Sequence, residues 1–374
     1  MATYGTVNAE NITSSTGGVI SPNITSLRNR IINGAMVIDQ RNAGASVTPT
    51  ISAYTLDRWG AAVTQSSKYS VQQNAGSVTP PVGFTKYLGV TSLSAYSVGA
   101  SDYFHLYQAI EGFNIADLGW GTANAKTITI SFQAYSSLTG TFGGSLFNGS
   151  ANYSYPFTYS IPVANTWTTI YLTIAGPTAG TWTSDNSAGL YINFGLGVGS
   201  TLSGAAGAWA SGTYRSATGA TSVVGTNGAT FYITGVQLEA GAQATSFDYR
   251  PYGTELALCQ RYYIKYSAND GNGGYASFFG GSTSGNTSFA IYPFFPVPLR
   301  APNPTQTWGG NLRLGYNTGA SATLSGISGS NQQISVTGGY GVYNCTSHAL
   351  GALVFILPGG SGDTTAYWAF QSEL

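Results

Sequence analysis

From Thr127 to Tyr135 the chain reads Thr-Ile-Thr-Ile-Ser-Phe-Gln-Ala-Tyr, so Ile128, Ile130, Phe132 and Ala134 share one side and Thr127, Thr129, Ser131 and Gln133 the other. A period of two residues is that of a β-strand with one buried face. The alternation returns at Trp167 to Ile174, with Ile170, Leu172 and Ile174 inward, and at Leu190 to Leu196, with Leu190, Ile192, Phe194 and Leu196 inward. Strand-sized segments broken by Gly, Asn, Ser and Pro continue from Ile31 to about Tyr252, which predicts a sandwich over 31–252. A helical spacing is brief: Leu256, Cys259 and Tyr263 fall at i, i+3 and i+7, predicting a connector at 253–262. Strand-and-turn composition resumes over 263–374, with a proline-rich edge segment from Pro293 to Pro304, and predicts a second, smaller β domain. Residues 1–30 lack a periodic apolar face, so they are expected to form an extended arm that orders on assembly. The fold class expected for these 374 residues is all-β.

Charge sharpens this picture. Thirteen basic and thirteen acidic residues make 7% of the chain, against about 25% in an ordinary soluble protein. Between Thr127 and Leu238 only Asp185 and Arg215 are charged, so the polar faces there are made of hydroxyls and amides. A net charge of zero removes the cationic footprint that a phosphate backbone requires, and nucleic acid is not expected as a partner. The longest clean apolar run, Ala352 to Leu357, is far short of the roughly 20 residues that span a bilayer. With no signal-like start before Thr3 to Asn11, the expectation is a chain neither inserted in a membrane nor conventionally secreted.

Several segments together carry a family resemblance. Arg28-Asn-Arg-Ile-Ile-Asn-Gly-Ala-Met-Val-Ile-Asp-Gln-Arg41, then Tyr54-Thr-Leu-Asp-Arg-Trp59, resembles the opening of a β domain of tailed-bacteriophage and prophage fibre proteins. Gln108 to Gly112, Val236 to Gly241 and Phe247 to Tyr252 running into Cys259-Gln-Arg-Tyr-Tyr263 follow in the family's order. The resemblance implies a jelly-roll similar to carbohydrate-binding modules, followed by a small β domain acting as a distal knob. It further implies a homotrimer in the virion, attached to tail or capsid proteins through residues 1–30 and contacting a host surface glycan or protein. A tail fibre, a head fibre or decoration protein, and a polysaccharide depolymerase are the alternatives, with non-enzymatic adhesion first and no cofactor. An uncharged, Tyr-rich exterior suits closure against sister chains, since it buries no unpaired ions.

Asp57, Arg58 and Trp59 alternate faces if they lie in a strand, so they are expected to be structural, with Trp59 in the core and Arg58 beside a carboxylate. Glu111 and Glu239 are isolated acids expected to pair with Arg41, Arg58 or Arg250. Hydrolysis would need two carboxylates held about 5 to 9 Å apart, and nothing in the sequence brings these two together. Cys345-x-x-His348, or Cys259 with His105, is too sparse for a zinc site, and the two cysteines are compatible with one disulfide or two free thiols. Asn269 to Gly274 resembles a calcium loop without the distal glutamate and reads as a hairpin turn. Gly195 to Gly199 is not followed by a predicted helix, so no phosphate cradle is expected. The better lead is aromatic: 26 Tyr, 17 Phe and 7 Trp exceed the needs of such a core. Trp308, Tyr340 and Tyr343 in the second domain are the candidate glycan- or receptor-binding patch, although the same rings suit a core or a subunit interface.

Overall fold

The computed structural model describes residues 28–267, 279–285, 288–310, 312–316, 321–324, 328–344, 354–358 and 365–374, together with the backbone of the short pair Ile12–Thr13 and Val19–Ile20. Fourteen strands build the first lobe. They are β1 Ala53–Leu56, β2 Trp59–Val63, β3 Tyr69–Gln73, β4 Leu88–Ser92, β5 Tyr103–Glu111, β6 Ile128–Ser136 and β7 Gly140–Asn148. The others are β8 Tyr153–Ile161, β9 Thr168–Ile174, β10 Ala188–Val198, β11 Ser203–Gly204, β12 Ala210–Ser211, β13 Ser216–Ala217 and β14 Thr230–Ala240. One sheet has seven strands in the order β12-β8-β7-β10-β5-β2-β1, the other five in the order β9-β6-β14-β4-β3. Both are antiparallel and they pack face to face as a jelly-roll sandwich.

The inward positions expected from alternation fill the space between the sheets. Ile128, Ile130, Phe132 and Ala134 of β6 meet Leu190, Ile192, Phe194 and Leu196 of β10 in one buried cluster. Phe132 and Phe194 stand edge to face with centroids 5.1 Å apart. Burying each such ring removes apolar surface worth about 25 cal/mol per Å², which is what holds the two sheets together.

The body begins earlier than residue 31. Asn29 is buried, its amide nitrogen donates to the Val236 carbonyl, and its oxygen accepts from the Ile31 and Leu238 amides. The helix α1 spans Tyr252–Gln260, so Tyr263, expected to continue it, instead opens a strand. Cys259 is a buried free thiol in a small cluster with Ile32, Ile38 and Tyr262. Residues 345, 348 and 269–274 lie outside the described residues.

In the second lobe Tyr263–Ser267, Tyr367–Gln371 and Thr305–Gly309 form a three-stranded sheet, and a seven-stranded sheet runs through Phe279–Gly285, Ser288–Ile291 and Gly339–Asn344. Its core includes Phe279, Phe289, Leu299, Trp368 and Phe370. The strand 367–371 returns the chain to the first lobe. Glu373 takes Arg41 at 2.8 Å and also pairs with Arg58, while Arg300 donates to the Ser372 and Glu373 carbonyls.

Candidate functional site

Strand β5 reads Tyr-Phe-His-Leu-Tyr from residue 103, so Phe104 and Leu106 enter the core and Tyr103, His105 and Tyr107 stand on the outer face of the seven-stranded sheet. Register then sets small residues beside them: Gly60 and Ala62 of β2 lie opposite Tyr107 and His105, and Gly195 of β10 also lies opposite His105. Tall rings beside missing side chains make a groove. Phe147 of β7 and Tyr191 of β10 continue it, stacked with centroids 4.7 Å apart and planes at 24°. Tyr107 lies 6.2 Å from Tyr191 and 5.6 Å from Tyr54. The resulting cavity is about 250 Å³ and has Leu374 on its rim.

Glycine decides two features of this groove. A Cβ on Gly60 would sit 2.3 Å from the Tyr107 ring, so only glycine lets that ring lie flat across β2. On the other side, Cβ atoms on Gly143 and Gly195 would come within 2.5 and 2.6 Å of Ser216 Oγ. Their absence seats β13 directly on the sheet and delivers the neighbouring Arg215 over the rings. The Arg215 guanidinium carbon is 4.5 Å from the Tyr103 centroid and 5.5 Å from that of Phe147. Gly195 thus has a packing role in the segment Gly195 to Gly199, and the strand Ala188–Val198 covers most of that segment.

The polar groups of the groove are incompletely satisfied. Among the described residues, eleven buried side-chain nitrogen or oxygen atoms lack a hydrogen-bond partner, and three belong to residues that line the groove: His105 Nδ1, Asn193 Oδ1 and Arg215 Nε. Asn193 still donates through Nδ2 to Ser145. Leaving a buried polar atom unpaired costs about 1–3 kcal/mol. Burial, helped by the Arg215 cation, holds the His105 imidazole well below its ordinary pKa and therefore neutral. Burial likewise pushes the Tyr107 hydroxyl up to about 12, so it remains a hydrogen-bonding phenol. No aspartate or glutamate lines the groove among the described residues.

The residues expected from sequence fall elsewhere. Asp57 and Arg58 form the turn between β1 and β2 rather than a strand, with Arg58 at φ 68°, yet all three of Asp57, Arg58 and Trp59 are buried. Trp59 donates its indole N–H to the Asn33 carbonyl, and Asp57 accepts the Gln40 amide at 2.7 Å and its side chain at 2.6 Å. Burial, opposed by Arg41, raises the Asp57 carboxyl to about 7. Arg58 lies 3.5 Å above the Tyr262 ring and pairs with Glu373. The expected partners of the two acids need correction. Glu111 binds Arg261 at 2.8 Å and the Tyr262 hydroxyl at 2.5 Å. Glu239 takes no arginine at all among the described residues and is held by Gln237 and Thr245. Arg250 pairs with Glu255 instead. Glu111 ends a strand of one sheet and Glu239 belongs to the other, each with its oxygens occupied, so they form no acid–base pair.

Of the expected distal patch, Tyr343 is enclosed, while Trp308 and Tyr340 stay half-buried. Tyr343 is 0% exposed, packed between Phe289, Trp308 and Trp368, with its hydroxyl on Gln306. Trp308 is partly buried against the same core, and half-buried Tyr340 leans on Tyr292. A ring without a free face cannot stack on a sugar. His105 and Cys259 belong to separate clusters, and no group of three metal-ligating side chains occurs among the described residues. The Tyr103–Tyr107 stretch of β5 is not among the expected sites, although its sequence carries a signal: Tyr103, His105 and Tyr107 hold alternate outward positions around the core residues Phe104 and Leu106.

A second cavity, about 190 Å³, is lined by Phe84, Phe247, Tyr249 and Asp248. Its polar groups are engaged: Asp248 accepts the Arg28 and Asn29 amides, and Tyr249 donates to the Gly83 carbonyl.

No family model matches the chain, and no curated protein matches it. Three solved structures illustrate what it is similar to. The enzymatically active domain of tailspike protein 4 of bacteriophage CBA120 is 13% identical at a TM-score of 0.29, covering 57% of this chain and 21% of that one. The family 11 carbohydrate-binding module from Clostridium thermocellum, in complex with a β-1,3-1,4-mixed-linked tetrasaccharide, is 13% identical at 0.28 over 52% of this chain and 100% of that one. A putative sugar binding protein from Bacteroides thetaiotaomicron is 11% identical at 0.32 over 57% and 100%. Likenesses of this size assign no function.

Proposed function

We propose that this protein is a glycan-binding virion component, a homotrimeric phage fibre that holds a host surface saccharide in the groove of its first lobe. The observation that carries the reading is the groove itself: an aromatic floor flanked by glycine and alanine, with a cation at its edge. Aromatic faces stack on the C–H face of a pyranose, and polar groups beside them fix its orientation. The virion setting is supported by the fibre-like segments of the sequence and by a surface with so few charges. Large apolar side chains left outside, among them Val82, Ile51 and Phe294, favour contact with further chains. No cofactor is required.

Retention of the purified protein on immobilised host polysaccharide tests the binding half. Retention lost on replacing Tyr107 or Tyr191 by Ala supports it, and retention unchanged in both variants overturns it. Light scattering tests the assembly half: a mass three times that of the chain supports the trimer, and a monomer at high concentration removes it.

A further inference from the structure

The groove has one charged side chain, Arg215, and no carboxylate side chain lines it among the described residues. Arg215 makes no ion pair or side-chain hydrogen bond among the described residues; its Nε is buried without a partner, as are those of Arg30, Arg41, Arg58 and Arg250, but those four give terminal nitrogens to carboxylates. The contrast with its counterparts is sharp. Arg30, Arg41, Arg58, Arg250 and Arg261 each meet a carboxylate, and Arg300 meets the carbonyls of Asn186, Ser372 and Glu373. Arg215 instead lies between the Tyr103 and Phe147 rings, with no carboxylate side chain in ion-pair reach among the described residues. Burial lowers the Arg215 pKa, the mark of a cation short of solvent and counter-charge. Partial exclusion of water also strengthens any bond that the guanidinium makes to an anion, and its planar fork matches carboxylate and phosphate oxygens alike.

We propose that the groove selects a saccharide carrying an anionic oxygen substituent, bound by Arg215, while Tyr107 and Tyr191 stack on its ring. The proposal rests on the glycan-binding reading above and narrows its substrate class. The anion is a uronate carboxylate or a phosphodiester, which share this chemistry.

Calorimetric titration of the full chain decides it, using a panel of uronate oligosaccharides, the same sugars as methyl esters, and an oligomeric sugar phosphodiester. The esters keep every ring and hydroxyl but lose the charge. The free acid or the phosphodiester is expected to bind at least about tenfold tighter than the neutral ester in 50 mM salt, with the gap closing in 0.5 M salt as screening grows. The tighter of the two anions identifies the source. Arg215→Gln should bring acid and ester to equal affinity, and Arg215→Lys should recover only part of the preference, because an ammonium lacks the fork. Equal binding of acid and ester by the unaltered protein, still lost in Tyr107→Ala, overturns the anionic preference and leaves glycan binding standing. A preference that survives in Arg215→Gln also overturns the assignment. Binding of no probe overturns the anionic preference, and retention on host polysaccharide then decides the glycan-binding reading by itself. The acid–ester comparison uses unaltered protein, so a folding defect in the variants cannot obscure it.

Discussion

Both outer faces of the first lobe carry aromatic ladders, and they behave in opposite ways. On the five-stranded sheet, Tyr135 and Tyr232 stack with centroids 5.2 Å apart and planes at 7°, and Tyr87 and Trp167 close around them. Every polar tip with an assigned bond there has an internal partner: Tyr87 donates to Ala75 and accepts from Val78, Trp167 donates to Thr79, and Tyr135 donates to Asn165. The turn at residues 74–79 sits over these rings and completes a satellite core. On the seven-stranded sheet, comparable rings surround an unpaired imidazole nitrogen, an unpaired amide oxygen and a lone cation. The lesson is that the number of aromatic residues does not mark a binding face. What sets the groove apart is a cation among its rings, with no carboxylate side chain lining it among the described residues.

The comparison can be broken from the structural side first. Tyr232→Ala removes a ring 3% exposed, and its cost is expected to be about 3–5 kcal/mol, with saccharide retention unchanged. Urea unfolding and affinity electrophoresis on the same variant would measure both. If retention fell together with stability, the two faces would not be functionally distinct. Tyr107→Ala should show the reverse, losing about 2 kcal/mol of binding, roughly 30-fold, while the unfolding midpoint moves little.

Gly60→Ala gives a finer test, because it touches the groove through shape alone. The added methyl would displace the Tyr107 ring, and affinity should fall about fivefold, near 1 kcal/mol. Gly89→Ala crowds Ala75 and Tyr232 on the other face, so it should lower thermal stability and spare binding.

The smallest expected effect is in pH. His105 has a folded-state pKa below its unfolded one, chiefly through burial and then through Arg215. Its contribution to stability is therefore complete above the unfolded value of about 6.5 and is lost as pH falls below it. Asp57 acts oppositely: with a folded pKa near 7 against 3.8 unfolded, it costs stability as pH rises between those values. Subtracting the pH profile of unfolding of His105→Gln from that of the parent isolates the first term. A difference that does not depend on pH between 5 and 7 would show that the imidazole is not shielded as described.

Much of the sandwich was legible because alternation is local. Ile128 to Ala134 and Leu190 to Leu196 state their inward faces in consecutive residues, and hydrophobic burial then leaves little choice. The groove was not legible, because its parts meet only through register: Tyr107 faces Gly60 on one neighbour and Asn193 on the other, with long stretches of chain between them. Arg215 did stand out as the one cation between Thr127 and Leu238, yet nothing local told that two glycines would let its strand settle onto the sheet. The ion pairs were misassigned for the same reason. Glu373, 315 residues from Arg58, outcompetes nearer acids because the strand before it is laid against the first lobe. The aromatic patch sought at Trp308 and Tyr343 was drawn from ring count, which does not separate a core from a surface.

That same Glu373 has a mechanical consequence. It fastens two arginines of one lobe to a strand of the other lobe's sheet, and peeling that strand away would deprive Arg58 of its carboxylate and Arg41 of one of its partners. Neither lobe can therefore loosen quietly while its companion stays intact. Heating should register as one endotherm.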